Sequence, residues 1–174
     1  MPFDKLRANG PLGHPPYSYA IALGSNRCSR HGPPRATLRA ALTALKPTHA
    51  STIRATPALG PAGRSFANAV AILESRLDPE DMLADLKALE RRFGRRPGRR
   101  WGPRVLDLDI ILWSEGPWAG PGPIVPHPSF RARRFVLAPL AEIAPDWRDP
   151  VSTRTIRQLL ARLTRPRPAP RSAA

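Results

Sequence analysis

The sequence predicts an α+β fold, and three observations carry that prediction. Short apolar stretches suited to strands are interleaved with segments of helical spacing. They follow the order β-α-β-β-α-β, and two further helical segments come after the last strand. That order is the split βαβ arrangement of a ferredoxin-like βαββαβ core with appended C-terminal helices. The 174 residues suit one such domain rather than two, and 41% hydrophobic residues supply its core.

Each element has its own warrant. Residues 17–23 (YSYAIAL) are a short apolar strand that ends at Gly24. In residues 35–45, Leu38, Leu42 and Leu45 recur at helical spacing, and Pro47 stops the run. Residues 51–56 are β-branched enough for a strand, and residues 66–73 (FANAVAIL) read as a buried one. Asp78-Pro79-Glu80 opens a helix, with proline in the first turn and acids at its positive end. Its apolar stripe is Met82, Leu83, Leu86, Leu89 and Phe93, and Gly94 ends it. A strand is expected over 105–112, a helix over 134–143 despite Pro139, and an amphipathic helix over 153–163. Residues 17–163 are thus the folded domain. Residues 1–16 are expected to form a flexible extension, and the Pro/Arg-rich residues 164–174 a disordered tail.

Net charge is +15, and only three of the 28 basic residues are lysines (Lys5, Lys46, Lys87). An arginine excess fits phosphate-bearing partners, because the guanidinium binds phosphate bidentately. Cys28 is the only cysteine, which excludes an internal disulfide and a cysteine-built zinc site. No apolar run reaches the ~18 residues of a membrane span, and no signal-peptide core follows Met1, so a cytoplasmic protein without membrane partners is expected.

The chemistry concentrates in GRRWGPRVLDLDII, residues 98–111. In a strand, residues two apart share a face, so Asp107 and Asp109 project together while Leu106, Leu108 and Ile110 enter a core. Paired carboxylates repel unless a cation neutralises them, and Mg2+ takes one or two carboxylates plus substrate phosphates. From Arg91 to Arg104 there are seven arginines and no acid. Arginine to hold phosphates, beside aspartate to hold the metal that bridges them, is a parts list for phosphoryl-type transfer.

The segment RWGPRVLDLDII (100–111) resembles the signature of the 6-hydroxymethyl-7,8-dihydropterin pyrophosphokinase family of folate biosynthesis. ALGSN (22–26), TPALGP (56–61), FAN (66–68), VPH (125–127) and RRFVLAPL (133–140) extend the resemblance over nearly all of 17–163. It implies a ferredoxin-like fold and transfer of pyrophosphate from ATP to the hydroxymethyl group of the pterin, releasing AMP. It implies two Mg2+ ions held by Asp107 and Asp109, with Arg95 and Arg104 joining them as catalytic residues. Glu90, Arg95, Arg104, His127 and Arg133 would form the ATP site. Thr56, Pro57, Leu59, Phe66, Asn68, Trp101 and Phe135 would bind the pterin. Pro97 stands where the family often has a second loop arginine, leaving Arg96 or Arg99 to substitute, and Lys87 stands where it often has glutamine. The loops 60–65 and 94–100 are expected to close over the substrates. ATP and the pterin are the expected partners, bound by a monomer that engages no nucleic acid. The competing reading is an arginine-rich RNA-binding module on the same fold.

Overall fold

The computed structural model describes residues 16–57, 65–95, 104–120 and 122–165. The expected N-terminal extension and C-terminal tail lie almost wholly outside the described residues. So do Leu59, Trp101, Pro97 with its substitutes Arg96 and Arg99, and most of the two expected closing loops.

Strand β1 (Tyr17–Ser25) lies at the middle of the main sheet, antiparallel to both β4 (Phe66–Ser75) and β5 (Asp107–Trp113). Beyond β4 run the short strands β2 (His49–Ala50) and β3 (Arg54–Thr56). The sheet order β2-β4-β1-β5, with β3 also on β4, is that of a ferredoxin-like core. Side chains alternate between the two faces, so each face has its own core. On one face α1 (Pro34–Leu45) and α2 (Pro79–Arg92) bury Leu38, Leu45, Met82, Leu86 and Leu89 against Tyr19, Ile21, Leu23 and Leu108. On the other, α3 (Arg134–Ile143) and α4 (Ile156–Thr164) bury Val136, Leu137, Leu140 and Ile156 against Ala20, Val70, Ile72 and Ile111.

The start of α2 forms as its sequence dictates. The Asp78 side chain accepts from the Asp81 backbone N–H at 2.9 Å, and Pro79 occupies the first turn. Gly94 takes φ +95° just past the helix end, where glycine adopts a left-handed backbone cheaply. The expected strand 51–56 is interrupted. Between the Ala50–Ala71 and Arg54–Asn68 pairs, residues 51–53 face only residues 69–70, so one residue is extra and the strand bulges. The last strand starts at Asp107 rather than 105. The last helix starts at Ile156 rather than 153, because Thr153 has φ +58° and Thr155 forms a capping box with Gln158. A two-stranded ribbon of β6 (Trp118–Ala119) and β7 (Ile124–Val125) was not foreseen in the loop before His127.

The α3–α4 connection is pinned to the 3-10 turn Phe130–Ala132 by an ion pair. Asp149, with 0% of its surface exposed, accepts from Arg131 Nε at 2.7 Å and Nη2 at 2.5 Å. It also accepts from Ser152 Oγ and from the backbone N–H groups of Val151 and Ser152. Burial alone would raise the Asp149 pKa. The donors of Arg131, Ser152 and Val151 outweigh it and bring the value down to about 2. A depressed carboxylate stabilises the fold fully above its unfolded pKa, near 4, and that stability, roughly 2 kcal/mol, is lost as pH falls through 2. Asp149→Ala should therefore cost about 2–3 kcal/mol in urea unfolding at pH 7, because it removes the acceptor of the half-buried Arg131 guanidinium and of the Val151 and Ser152 N–H groups. The penalty should shrink progressively when unfolding is repeated between pH 4 and pH 2.

Candidate active site

Asp107 and Asp109 share one face of the sheet with Asn68, the face covered by α3. Gly24 of β1 pairs with Asn68 on β4 and with Asp107 on β5; two residues along, Ala22 pairs with Val70 and Asp109. Asn68 and Asp107 thus flank the smallest residue of the central strand. Among the described residues, a Cβ built on Gly24 would meet only Asn68 Oδ1, at 3.5 Å. A shallow floor with an amide on one side and carboxylates on the other follows from this alternation of strand residues.

The outer edge of β5 is held by α2. Glu90, 1% exposed, accepts through Oε1 from the Leu108 backbone N–H at 2.7 Å and from Lys87 Nζ at 2.6 Å. Lys87 Nζ also donates to the Leu108 carbonyl at 3.0 Å. Both backbone groups of the residue between the two aspartates are therefore satisfied by helix side chains, as an edge strand requires. Glu90 Oε2 meanwhile accepts from Arg95, and the same guanidinium nitrogen donates to Asp107 Oδ1 at 2.7 Å. Arg104 donates to Asp107 Oδ2. Burial works against the Arg95 charge, but Glu90 and Asp107 outweigh it and raise its pKa further. Among the described residues, Lys87, Arg95 and Arg104 supply the cations paired with Glu90 and Asp107.

The two aspartates are thus unlike. Asp107 carries two guanidinium groups, whereas the Asp109 carboxylate forms no hydrogen bond or ion pair with any described residue. His127 feels the Asp109 charge. Burial lowers its pKa, Asp109 opposes that shift, and Arg133 adds to it. Its Nδ1 accepts from the Ser129 backbone N–H at 3.1 Å, so in the neutral ring Nε2 carries the proton and remains the donor. Arg133, at the start of α3, lies with its guanidinium carbon 5.8 Å from the centre of the Phe135 ring, within cation–π range.

Of the pterin set, Asn68 is 6% exposed and donates through Nδ2 to Thr56 Oγ1 at 2.7 Å. Thr56 pairs with Phe66, and Pro57 follows at the end of β3. Phe135 is half-buried against the α3 core. Asn26 was read only as part of a motif, yet its Oδ1 accepts from the Arg104 N–H at 2.7 Å and its own N–H donates to the Arg104 carbonyl at 3.1 Å. The sequence signal for it was its place just past the end of the strand that faces the arginine loop. Among the described residues, no group of three or more His, Cys, Asp or Glu is arranged to hold a metal. No described helix is long and apolar enough to cross a membrane.

A family model for 7,8-dihydro-6-hydroxymethylpterin-pyrophosphokinase (HPPK) matches residues 20–145. The chain belongs to that family. It is 43% identical over 148 residues to a 2-amino-4-hydroxy-6-hydroxymethyldihydropteridine pyrophosphokinase of Pseudomonas aeruginosa, a match spanning 81% of this chain and 88% of that protein. A protein of the same name from Synechocystis sp. is 45% identical over 103 residues, 59% of this chain and about half (53%) of that one. The fold is also that of the HPPK-DHPS protein of Plasmodium falciparum crystallised with pteroate, at TM-score 0.66 and 14% identity, over 84% of this chain and 42% of that chain.

The inequality of the aspartates has a measurable consequence for the metal-free protein. Asp107→Asn removes the anchor of two arginines and should lower the melting temperature by about 2–4 °C. Asp109→Asn removes no hydrogen bond or ion pair to a described residue and should leave it within about 1–2 °C of the wild-type value. Scanning calorimetry in a chelator compares the two directly.

Proposed function

We propose that this chain transfers pyrophosphate from ATP to the hydroxymethyl group of 6-hydroxymethyl-7,8-dihydropterin, with Mg2+ and with release of AMP. Family membership supports the reaction class. The observation that carries the reading on this chain is the row Asn68–Gly24–Asp107 across three strands, which sets an amide beside a carboxylate pair over a floor without side-chain bulk.

The donor set fits a hard divalent cation. Asp109 has a carboxylate with no described partner, and Asp107 stands two residues away on the same face. Two carboxylates with phosphate oxygens make up the kind of set that Mg2+ takes. Asp107 and Asp109 would hold Mg2+, which would supply neutralisation of triphosphate charge; two ions, as the resemblance implies, are part of this proposal.

The remaining roles fall to the chain itself. Arg95 and Arg104 turn from Asp107 to the phosphates, exchanging one set of anionic oxygens for another, while Lys87 keeps the buried Glu90 charge paired. Neutral His127 offers its Nε2–H, and Arg133 its guanidinium, to the same phosphates. Glu90 supports the site from behind the strand. Asn68 presents Oδ1 to the heterocycle edge because Thr56 occupies its Nδ2. Phe135, Phe66, Pro57, Leu59 and Trp101 supply the remaining contacts to a flat ring. The substrate hydroxyl oxygen bonds to the β-phosphorus and loses its proton to solvent, the bond from the β-phosphorus to the α,β-bridging oxygen breaks in line, and AMP leaves with that oxygen. The HPPK assignment also favours the enzyme over the RNA-binding alternative.

The test is to mix the protein with ATP, Mg2+ and the hydroxymethyl dihydropterin and to quantify AMP. Pterin-dependent AMP is expected, with turnover reduced about a thousandfold in Asp109→Asn. Folded protein that makes no AMP above background would refute the proposal.

A further inference from the structure

Glu142 belongs to neither the phosphate nor the pterin set, yet it is among the most fully engaged carboxylates in the molecule. It sits on the last turn of α3, and its Oε1 accepts from the Thr52 backbone N–H at 2.8 Å. Its two oxygens also lie 2.9 Å and 2.8 Å from Thr52 Oγ1, and Oε2 accepts from Arg54 Nη2 at 2.8 Å. The Thr52 N–H, with the Thr52 hydroxyl and Arg54, holds the carboxyl below the usual glutamate range, so it is ionised at neutral pH.

Thr52 is the middle residue of the bulge between β2 and β3. Ser51 still addresses β4, donating its N–H to the Val70 carbonyl at 2.9 Å and accepting from the Val70 N–H through Oγ at 3.0 Å. The extra residue takes the Thr52 N–H out of the ladder, and Glu142 is the acceptor that satisfies it. A bulge bends its strand and re-aims the residues that follow. Those residues are β3, an edge strand three residues long, paired only with the first residues of β4. β3 ends in Thr56, whose hydroxyl fixes which way the Asn68 amide faces. The helix that carries Phe135 on its first turn thus holds, with its last turn, the strand that orients Asn68.

We infer that Glu142 is a positioning residue for pterin recognition: by clamping the bulge at Thr52 it fixes β3, and through Thr56 it keeps the Asn68 amide oxygen turned toward the ring. This rests on the pterin reading above. The chain Glu142–Thr52–Thr56–Asn68 runs along the side of the sheet away from Asp107 and Asp109, so its loss should be felt by one substrate and not the other.

Glu142→Ala and Glu142→Gln test it. The alanine variant is expected to raise the KM for the pterin about tenfold while the KM for ATP stays within about twofold. The glutamine variant should show a smaller rise, since its amide oxygen still accepts from the Thr52 N–H. An unchanged pterin KM, or equal rises for both substrates, would overturn the inference. Amide exchange in the substrate-free protein supplies a readout that needs no turnover. Exchange at Thr52 and across Arg54–Thr56 should quicken at least about tenfold in Glu142→Ala, with β1 unaffected. Unaltered exchange there overturns the clamp itself, whereas wild-type protein that makes no AMP overturns the pterin reading and this role with it.

Discussion

Glu90 places a negative charge behind an edge strand, out of reach of water, and a charge in that position must be answered from within the protein. Lys87 and Arg95 answer it, and the Leu108 N–H completes the set. Two consequences reach the surface. The backbone between Asp107 and Asp109 is bonded from behind through both groups of Leu108, so the carboxylates rise from a strand whose outer edge is covered. Arg95, tied to Glu90, is delivered to Asp107, where Arg104 meets it from the other oxygen. Removing Glu90 would release both the strand edge and the loop arginine.

This arrangement reconciles two readings of an arginine loop beside paired aspartates. One makes the arginines phosphate ligands; the other makes them salt-bridge partners of the aspartates. In the ligand-free protein Asp107 fits the second, and Asp109 does not. Under the proposed reaction, the guanidinium groups that pair with Asp107 would turn to the phosphates of the nucleotide. Because Asp107 is paired with two guanidinium groups, a bare divalent ion would have to compete with them for its oxygens. A metal accompanied by its nucleotide would not.

Much of this was legible in the sequence where one residue's environment is set by its immediate neighbours. Alternation around Asp107 and Asp109 gave their shared face, Asp78-Pro79-Glu80 gave the start of a helix, and the motif order gave the fold. Helix 134–143 formed as read, since Pro139 is buried in it and removes only one donor. Legibility failed where long-range contacts decide. The bulge at 51–53 depends on the register of β4 and on an acceptor 90 residues away. Thr153 adopts a left-handed backbone because the chain must turn around the buried Asp149. Lys87 counted as a departure from the family pattern; only the folded chain shows its charge bound to Glu90 and Leu108. Leu59 and Trp101 lie outside the described residues, so their part rests on motif alone.

In the proposed reaction the acidic pair and the arginine cluster receive metal and nucleotide as one unit. Calorimetric titration with a non-hydrolysable ATP analogue, with Mg2+ and then with chelator, tests it most directly. The account predicts tight binding with Mg2+, binding weaker by about a hundredfold or more without it, and no measurable uptake of Mg2+ alone at submillimolar concentration. Equal affinity for the analogue in chelator would contradict it, because the carboxylates would then have no part in holding the nucleotide.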